Sequence, residues 1–353
     1  MDMFTTRTML EALKTGKPAY SFLRDRYFSN IKTFTTTKLD IDVVAGKRRI
    51  APFVAPKIGG KVVERDGYST NSFEAPEVSP EMVTTAEDLL LRAPGENIYG
   101  AADPNQRAAE QLGEDLAELD RMITRREEAM AAEALFFGQV TVKGEGYDEV
   151  LRYWPASPAD QPYTELTGAA KWDDSGSTKN PIKDLRDTRR SIIQASGVTP
   201  TEAIMGTKAL DAFLEFLKDA KMELDYRKVE LGQIDPQQLP QGVTYWGRFR
   251  DSALDIYTYD EWYIDPETDL EVPMVPEDRV LVGSPNARTT MAYGLVTLFR
   301  GSGDNAAPEF FAERRVPDSW TQRKNPAGRV VQIKSRPLPI IHQIDGFHVL
   351  KVV

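Results

Sequence analysis

Two hydrophobic periods organise the chain. Near the N-terminus Leu39, Ile41 and Val43 alternate with Asp40 and Asp42, which is the period of a β-strand. Gly46 turns the chain, and Ile50–Val54 carries Pro52, which confines that segment to an edge or irregular strand. Lys61–Glu64 and Tyr68–Phe73 flank Asp66-Gly67, a two-residue hairpin signal. Residues 38–75 therefore predict a two-sided β-ribbon. Half of it, fully extended, would reach about 60 Å at ~3.3 Å per residue. No adjoining segment offers an apolar surface to cover it, and a lone two-stranded ribbon is marginal in water.

The period then changes to that of a helix. Asp103-Pro104 combines an N-cap residue with proline at the first helical position. Leu112, Leu116, Leu119, Ile123, Met130, Ala134 and Phe137 follow at helical spacing, and Gly138 lies just beyond. A helix over 104–137 would be about 50 Å long. Its other faces carry Glu110, Glu114, Asp115, Glu118, Asp120, Arg121, Arg125, Arg126, Glu127 and Glu128. The pattern predicts a helix packed along one stripe and wet elsewhere. A coiled coil is disfavoured because Arg126 and Glu127 interrupt the seam.

The remaining segments are shorter. Residues 1–34 read as an arm, with helical turns over Met9–Leu13 and then a run of exposed-looking aromatics: Tyr20, Phe22, Tyr27, Phe28 and Phe34. Folded onto a neighbour, such aromatics would be anchors. Residues 139–178 look loop-like. A helix is expected over 181–196, ended by Gly197, then a strand at Glu202–Met205 and a helix near 207–222. Short strands dominate 224–300, and two further strands close the chain. Phe347, Val349, Leu350, Val352 and Val353 are apolar on both faces, which predicts an ending inside a sheet. The fold class is α+β.

Composition narrows the chemistry. The 353 residues contain no cysteine, so disulfides, thiolate metal sites and cysteine nucleophiles are excluded. No apolar run approaches the ~18 residues of a membrane span, nor does the N-terminus read as a signal peptide. Together these point to a protein of the cytoplasm. A net charge of −10 disfavours general nucleic-acid binding. The charge is uneven: residues 225–279 hold 13 acidic and 5 basic side chains, residues 314–336 hold 7 basic and 1 acidic. These are either ordinary solvated faces or complementary patches that meet between copies. The two histidines, His342 and His348, read as satisfied residues on half-buried strands. Asp260, Glu261 and Asp269 lie beside aromatics, as a carbohydrate-active enzyme would require, but equally suit an acidic hairpin. The lone Gly301-Ser-Gly303 is a loop, and neither a P-loop nor a GxSxG elbow occurs. No cofactor or metal is expected.

The order of parts carries more than any motif: aromatic arm, β-ribbon, long amphipathic helix, mixed body, acidic β-rich segment and terminal strands. With IAPFVAPKIGGKVVERDGYSTNSFEAPEV at 50–78, PEDRVLVGSPNARTTMAYG at 276–294 and SRPLPIIHQIDGFHVLKVV at 335–353, the chain resembles the lambda-type major capsid protein E family of tailed phages, with the Hong Kong 97-like capsid fold. The resemblance implies an N-terminal arm (1–34), an extended β-hairpin loop (35–78), a peripheral domain (79–200 and 325–353) with a spine helix at 104–137, and a mainly axial domain (201–324). It implies a structural protein, not an enzyme, that forms pentamers and hexamers in an icosahedral shell around double-stranded DNA. An encapsulin-like compartment is the nearest alternative. Candidate contacts between subunits are Tyr20, Phe22, Tyr27 and Phe28 of the arm, and Arg48, Arg49, Phe53, Arg65, Tyr68 and Phe73 of the ribbon. A separate scaffolding protein and a portal are implied, with a decoration protein as a further partner. Packaged DNA would be contacted non-specifically at most, no membrane would be involved, and the protein would pass from host cytoplasm to virion. The lysine–asparagine–carboxylate cross-link of some relatives cannot be carried onto positions here.

Overall fold

The computed structural model describes residues 9, 21–36, 38–44, 68–85, 87–88, 104–144, 146–174, 179–219, 237–238, 242–249, 252–300, 307–324 and 327–353. In chain order these form α1 (Phe22–Tyr27), β1 (Ile31–Thr33), β2 (Lys38–Val44), β3 (Tyr68–Glu74), β4 (Glu81–Thr85), α2 (Pro104–Phe137), β5 (Gln139–Gly144), β6 (Tyr147–Arg152) and β7 (Tyr163–Glu165). Then come α3 (Pro181–Ser196), β8 (Glu202–Met205), α4 (Thr207–Asp219), β9 (Gln237–Gln238), β10 (Val243–Phe249), β11 (Leu254–Tyr259), β12 (Trp262–Ile264), β13 (Glu271–Pro273) and β14 (Arg279–Gly283). The chain closes with β15 (Thr289–Tyr293), β16 (Val296–Arg300), β17 (Ala307–Phe311), β18 (Val316–Gln322), β19 (Gly328–Lys334), β20 (Pro337–Ile341) and β21 (His348–Lys351).

Contacts divide the chain into two compact units. The first comprises residues 1–39, 74–131 and 291–339. Its centre is an antiparallel sheet in the order β18-β19-β4. Leu112, Leu116, Leu119 and Ile123 of α2 pack on Val331 and Ile333 of β19, with Met9, Val78 and Met82 alongside. The helical stripe thus meets the period-two face of a strand, which is what both patterns require. Beside this core β1 runs parallel to Met291–Tyr293 of β15, and β16–β17 form a separate antiparallel ribbon.

The second unit comprises residues 40–73, 132–290 and 340–353. Its mixed sheet has the order β7-β21-β14-β8-β11-β10-β9. Ile182, Leu185 and Ile192 of α3 and Leu210 and Phe213 of α4 cover Ala203, Met205, Val280, Val282 and Leu350. The alternate residues Ile204, Leu281 and Val349 are also buried, so the central strands are apolar on both faces. Helix α3 ends at left-handed Gly197 as expected, where Gly197 donates to Ile193 O, and it begins at a cap the sequence reading did not name, the Asn180 side chain accepting from Lys183 N.

Several expectations need correction. Residues 139–152 are a hairpin, β5–β6, rather than a loop; Gly144 pairs with Tyr147 around the left-handed Gly146. The expected domain boundaries also differ from the compact units. The sheet of the second unit takes β7 and β21 from the segments expected to be peripheral, and β8, β11 and β14 from the segment expected to be axial. Hydrogen bonding of β21 between β7 and β14 is the cause. The α2 helix runs over the expected residues, but Ala129, Met130, Ala131, Ala132, Ala134, Leu135 and Phe136 are all buried, so its last turns are enclosed rather than wet on one side. Phe137, expected to end the buried stripe, is instead 40% exposed.

The end of α2 is fixed from two directions. Arg279 donates from Nη1 to Phe136 O at 2.9 Å, a cation meeting the negative end of the helix, and its guanidinium lies 4.2 Å from the Phe137 ring centre. Gly138 then turns the chain with φ of +61°, and Gly138 O accepts from Tyr153 N at 2.8 Å. A Cβ at Gly138 would lie 2.0 Å from the Trp154 ring. Gly138→Ala should therefore lower unfolding free energy by about 2–4 kcal/mol, from left-handed backbone and overpacking together. Urea unfolding would show this; a midpoint equal to that of the parent would refute the account of this turn.

Candidate functional site: arm, ribbon and their partners

On one side of α2 lie Asp120, Thr124, Glu127 and Glu128, spaced to share a face. Glu127 is fully buried, yet three guanidinium groups converge on it. Arg24 Nη1 donates to Oε2 at 2.7 Å and Arg314 Nη2 to the same oxygen at 3.0 Å, while Arg315 Nη1 reaches Oε1. Burial pushes the Glu127 carboxyl up, but Arg315, Arg314 and Arg24 outweigh it and hold the group at about 2. Arg315 also donates to Asp120 at 2.8 Å and to Thr124 Oγ1 at 3.3 Å, and Arg24 donates to Asp25. Three arginines thus face three carboxylates, and the cluster is close to neutral. Tyr293 lies beside it, its hydroxyl pushed up by burial and by Glu127.

The neighbouring Glu128 acts on the arm directly. Its Oε1 accepts from Leu23 N at 2.7 Å and its Oε2 from Arg24 N at 2.9 Å. These are N–H groups that the first turn of α1 leaves without helical partners. A carboxylate at this position also suits the helix dipole. Glu127 and Glu128 together clip the arm to the spine. This corrects the reading of the arm aromatics: Phe22, Tyr27 and Phe28 are each 1% exposed, buried in their own chain rather than offered to a neighbour. Tyr20 lies outside the described residues. Among the described arm residues, Asp25 and the run from Ser29 through β1 are exposed, Ile31 at 52%.

Among the described residues, strands β2 and β3 pair only with each other, as the ribbon requires. Phe73 is half-buried, its ring centre 5.7 Å from that of Tyr153, so it too has a partner in its own chain. Tyr68 lies on β3. Arg48, Arg49, Phe53, Arg65 and the Asp66-Gly67 turn lie outside the described residues. The basic run at 314–336 is not an open patch. Arg314 and Arg315 serve Glu127, and Lys334 and Arg336 pair with Glu77 at 3.4 Å and 2.8 Å. Opposite charges inside the first unit thus take four of the seven basic side chains, which composition had left open between solvated faces and patches between copies, while Arg323 and Lys324 are exposed.

The acidic group has turn chemistry. Asp265 accepts from Glu267 N at 3.2 Å and Thr268 Oγ1 at 3.0 Å, and Asp269 carries a left-handed φ of +53° in the turn between β12 and β13. Asp265 and Asp269 thus belong to the hairpin turn, while Asp260, ahead of β12, donates its N–H to Gly242 O at 2.9 Å. Burial, with Asp211 nearby, raises the Asp260 carboxyl. His348 shares a hydrogen bond with Thr164 Oγ1 at 2.9 Å, and burial lowers it to about 4. His342 shares one with Thr290 Oγ1 at 3.0 Å. Among the described residues no cluster of three metal-ligating side chains occurs.

Residues 5–352 match the profile of the family described as phage major capsid protein E. The chain belongs to that family. It is 25% identical to the major capsid protein of Escherichia phage lambda over 98% of both chains. It is 27% identical to that of Escherichia phage N15 over the whole of both. The crystal structure of a putative capsid protein from a prophage of E. coli CFT073 superposes with a TM-score of 0.67 at 20% identity, covering 99% of each chain. The fold is the Hong Kong 97-like capsid fold, and members of this family are structural proteins of phage heads rather than enzymes.

Sequence reasoning missed the acidic clip because Glu127 and Glu128 interrupt an apolar stripe and so read as solvated. The available signal was Arg314-Arg315, a second adjacent pair of opposite charge. Glu127→Gln leaves two buried arginines, Arg24 and Arg315, and the partly exposed Arg314 short of a carboxylate, and should destabilise the protein by about 3–5 kcal/mol. Because the folded carboxyl sits below its ordinary value of 4.5, at about 2, its contribution is present above pH 4.5 and is lost as pH falls toward 2. Urea titrations of parent and Glu127→Gln at pH 7 measure this, and matching midpoints would contradict the clip.

Proposed function

We propose that the chain builds an icosahedral phage head from pentamers and hexamers, enclosing double-stranded DNA, and that its ribbon lies across an adjacent copy. The observation that carries this is the β2–β3 pair. Among the described residues it is a two-stranded sheet joined to no other sheet, and it brackets residues 45–67, which hold six basic and two acidic residues among Ile50, Phe53, Val54, Ile58, Val62 and Val63. A segment so basic and so apolar suits a second copy of an acidic chain. Arg48, Arg49, Phe53, Arg65 and Tyr68 are the contacts proposed on it. We assign the unit holding α2 and β18-β19-β4 to the peripheral part of the shell, and the unit holding the seven-stranded sheet to the axial part.

Many modest contacts per subunit stabilise a shell by multivalency, and closed symmetry lets one sequence supply both sides of each. The acidic balance fits a container that does not trap its DNA on the inner wall. A separate scaffolding protein, a portal and a decoration protein complete the proposed partners, with assembly in the host cytoplasm and the virion as destination. Replacing 45–67 with a short Gly-Ser linker should leave both units folded, because β2 and β3 can still pair, yet abolish shells. Circular dichroism reads the fold; sedimentation and negative-stain microscopy read the assembly. Particles of normal size from the replacement would overturn the role of the ribbon.

A further inference from the structure

The four most exposed large hydrophobic side chains among the described residues all lie on two small hairpins: Phe299 (73%) and Phe310 (64%) on β16–β17, Leu270 (66%) and Ile264 (62%) on β12–β13. Neither hairpin belongs to a larger sheet. In β16–β17, Thr297 is opposite Phe310 and Phe299 opposite Pro308. Directly opposed residues share a face, and so do residues two apart. Thr297, Phe299, Pro308 and Phe310 therefore form one continuous outer face. On the other face Val296, Leu298 and Phe311 pack on Val316, with exposed Glu309 opposite Leu298. The ribbon is anchored on one side and open on the other.

We infer that this outer face is a second contact surface of the subunit, occupied in the assembled shell by another copy of the same chain. The inference rests on the shell reading above and adds a surface to it. Two observations favour a copy over a different partner. First, the face carries no charge, so copies that repel overall at −10 can meet there. The β12–β13 face is unlike it: Glu271 shares the face with Trp262, Ile264 and Pro273, and Asp265, Glu267 and Asp269 rim the turn. Two acidic faces of that kind would repel. Second, the patch is small. Two phenylalanines and a proline supply a few hundred Å² at about 150–250 Å² per aromatic, well below the ~1,200–2,000 Å² of a free-standing complex. A patch of this size gives useful stability when repeated across a shell. A lone aromatic face in water is unfavourable otherwise.

The test places the photo-cross-linker p-benzoylphenylalanine at Phe310 in the full chain and irradiates purified particles. The expected product is an adduct of two copies of this chain, identified by mass spectrometry, and absent from dissociated subunits. An adduct to a different protein, or none, from particles that otherwise form normally overturns this inference and leaves the shell reading standing. Failure of the unmodified chain to form particles overturns the shell reading, and this inference with it. As a second measurement, Phe299→Ser with Phe310→Ser, both solvent-facing, should keep the thermal unfolding of the subunit and reduce particle yield more than about tenfold, since each lost contact recurs in every subunit. An unchanged yield would overturn the inference independently of the cross-link.

Discussion

The first unit depends on a carboxylate that could not be buried alone. Glu127 is enclosed because three arginines come to it from the arm and from the segment before β18. Removing an ionised carboxylate from water costs several kcal/mol, and only close charges with full hydrogen bonding offset that. The cluster therefore gives specificity to the packing of chain segments more than a hundred residues apart. The arm helix is six residues long and would not persist in isolation. Glu128 satisfies its first N–H groups while Glu127 holds Arg24, so the spine supplies what the arm lacks.

What was legible in the sequence followed period and punctuation. Helix α2 over 104–137, α3 over 181–196 with Gly197 at its end, and β21 inside a sheet all came from patterns that local chemistry fixes. What was not legible depended on long-range partners. The aromatics Phe22, Tyr27 and Phe28 looked adhesive because nothing near them in the chain could cover them; the spine helix, a hundred positions away, anchors their helix. The hairpin β5–β6 was hidden because its strands are short and mostly polar on one side, where Gln139, Lys143, Asp148 and Arg152 lie. The basic run at 314–336 looked like surface because Glu127 and Glu77 are remote in sequence. Of the candidate contact residues, Phe22, Tyr27 and Phe28 of the arm are internal, and Arg48, Arg49, Phe53, Arg65 and Tyr68 of the ribbon remain the basis of the proposal.

The same physical contrast separates the interior from the assembly surface. Charges that the fold needs are paired inside the unit, as at Glu127 and Glu77. Apolar side chains that the fold does not need stand on small ribbons, Phe299 and Phe310 above all. A family of head proteins would be expected to keep such faces for their neighbours, because a shell is stable only if each subunit withholds some burial until it meets another copy.

That claim is tested most directly by an electron cryomicroscopy map of particles purified from cells. The account predicts a closed shell in which residues 45–67 of each copy lie over an adjacent copy. A protein that purifies as a lone folded monomer, or a shell in which that segment lies wholly against its own subunit, would contradict it.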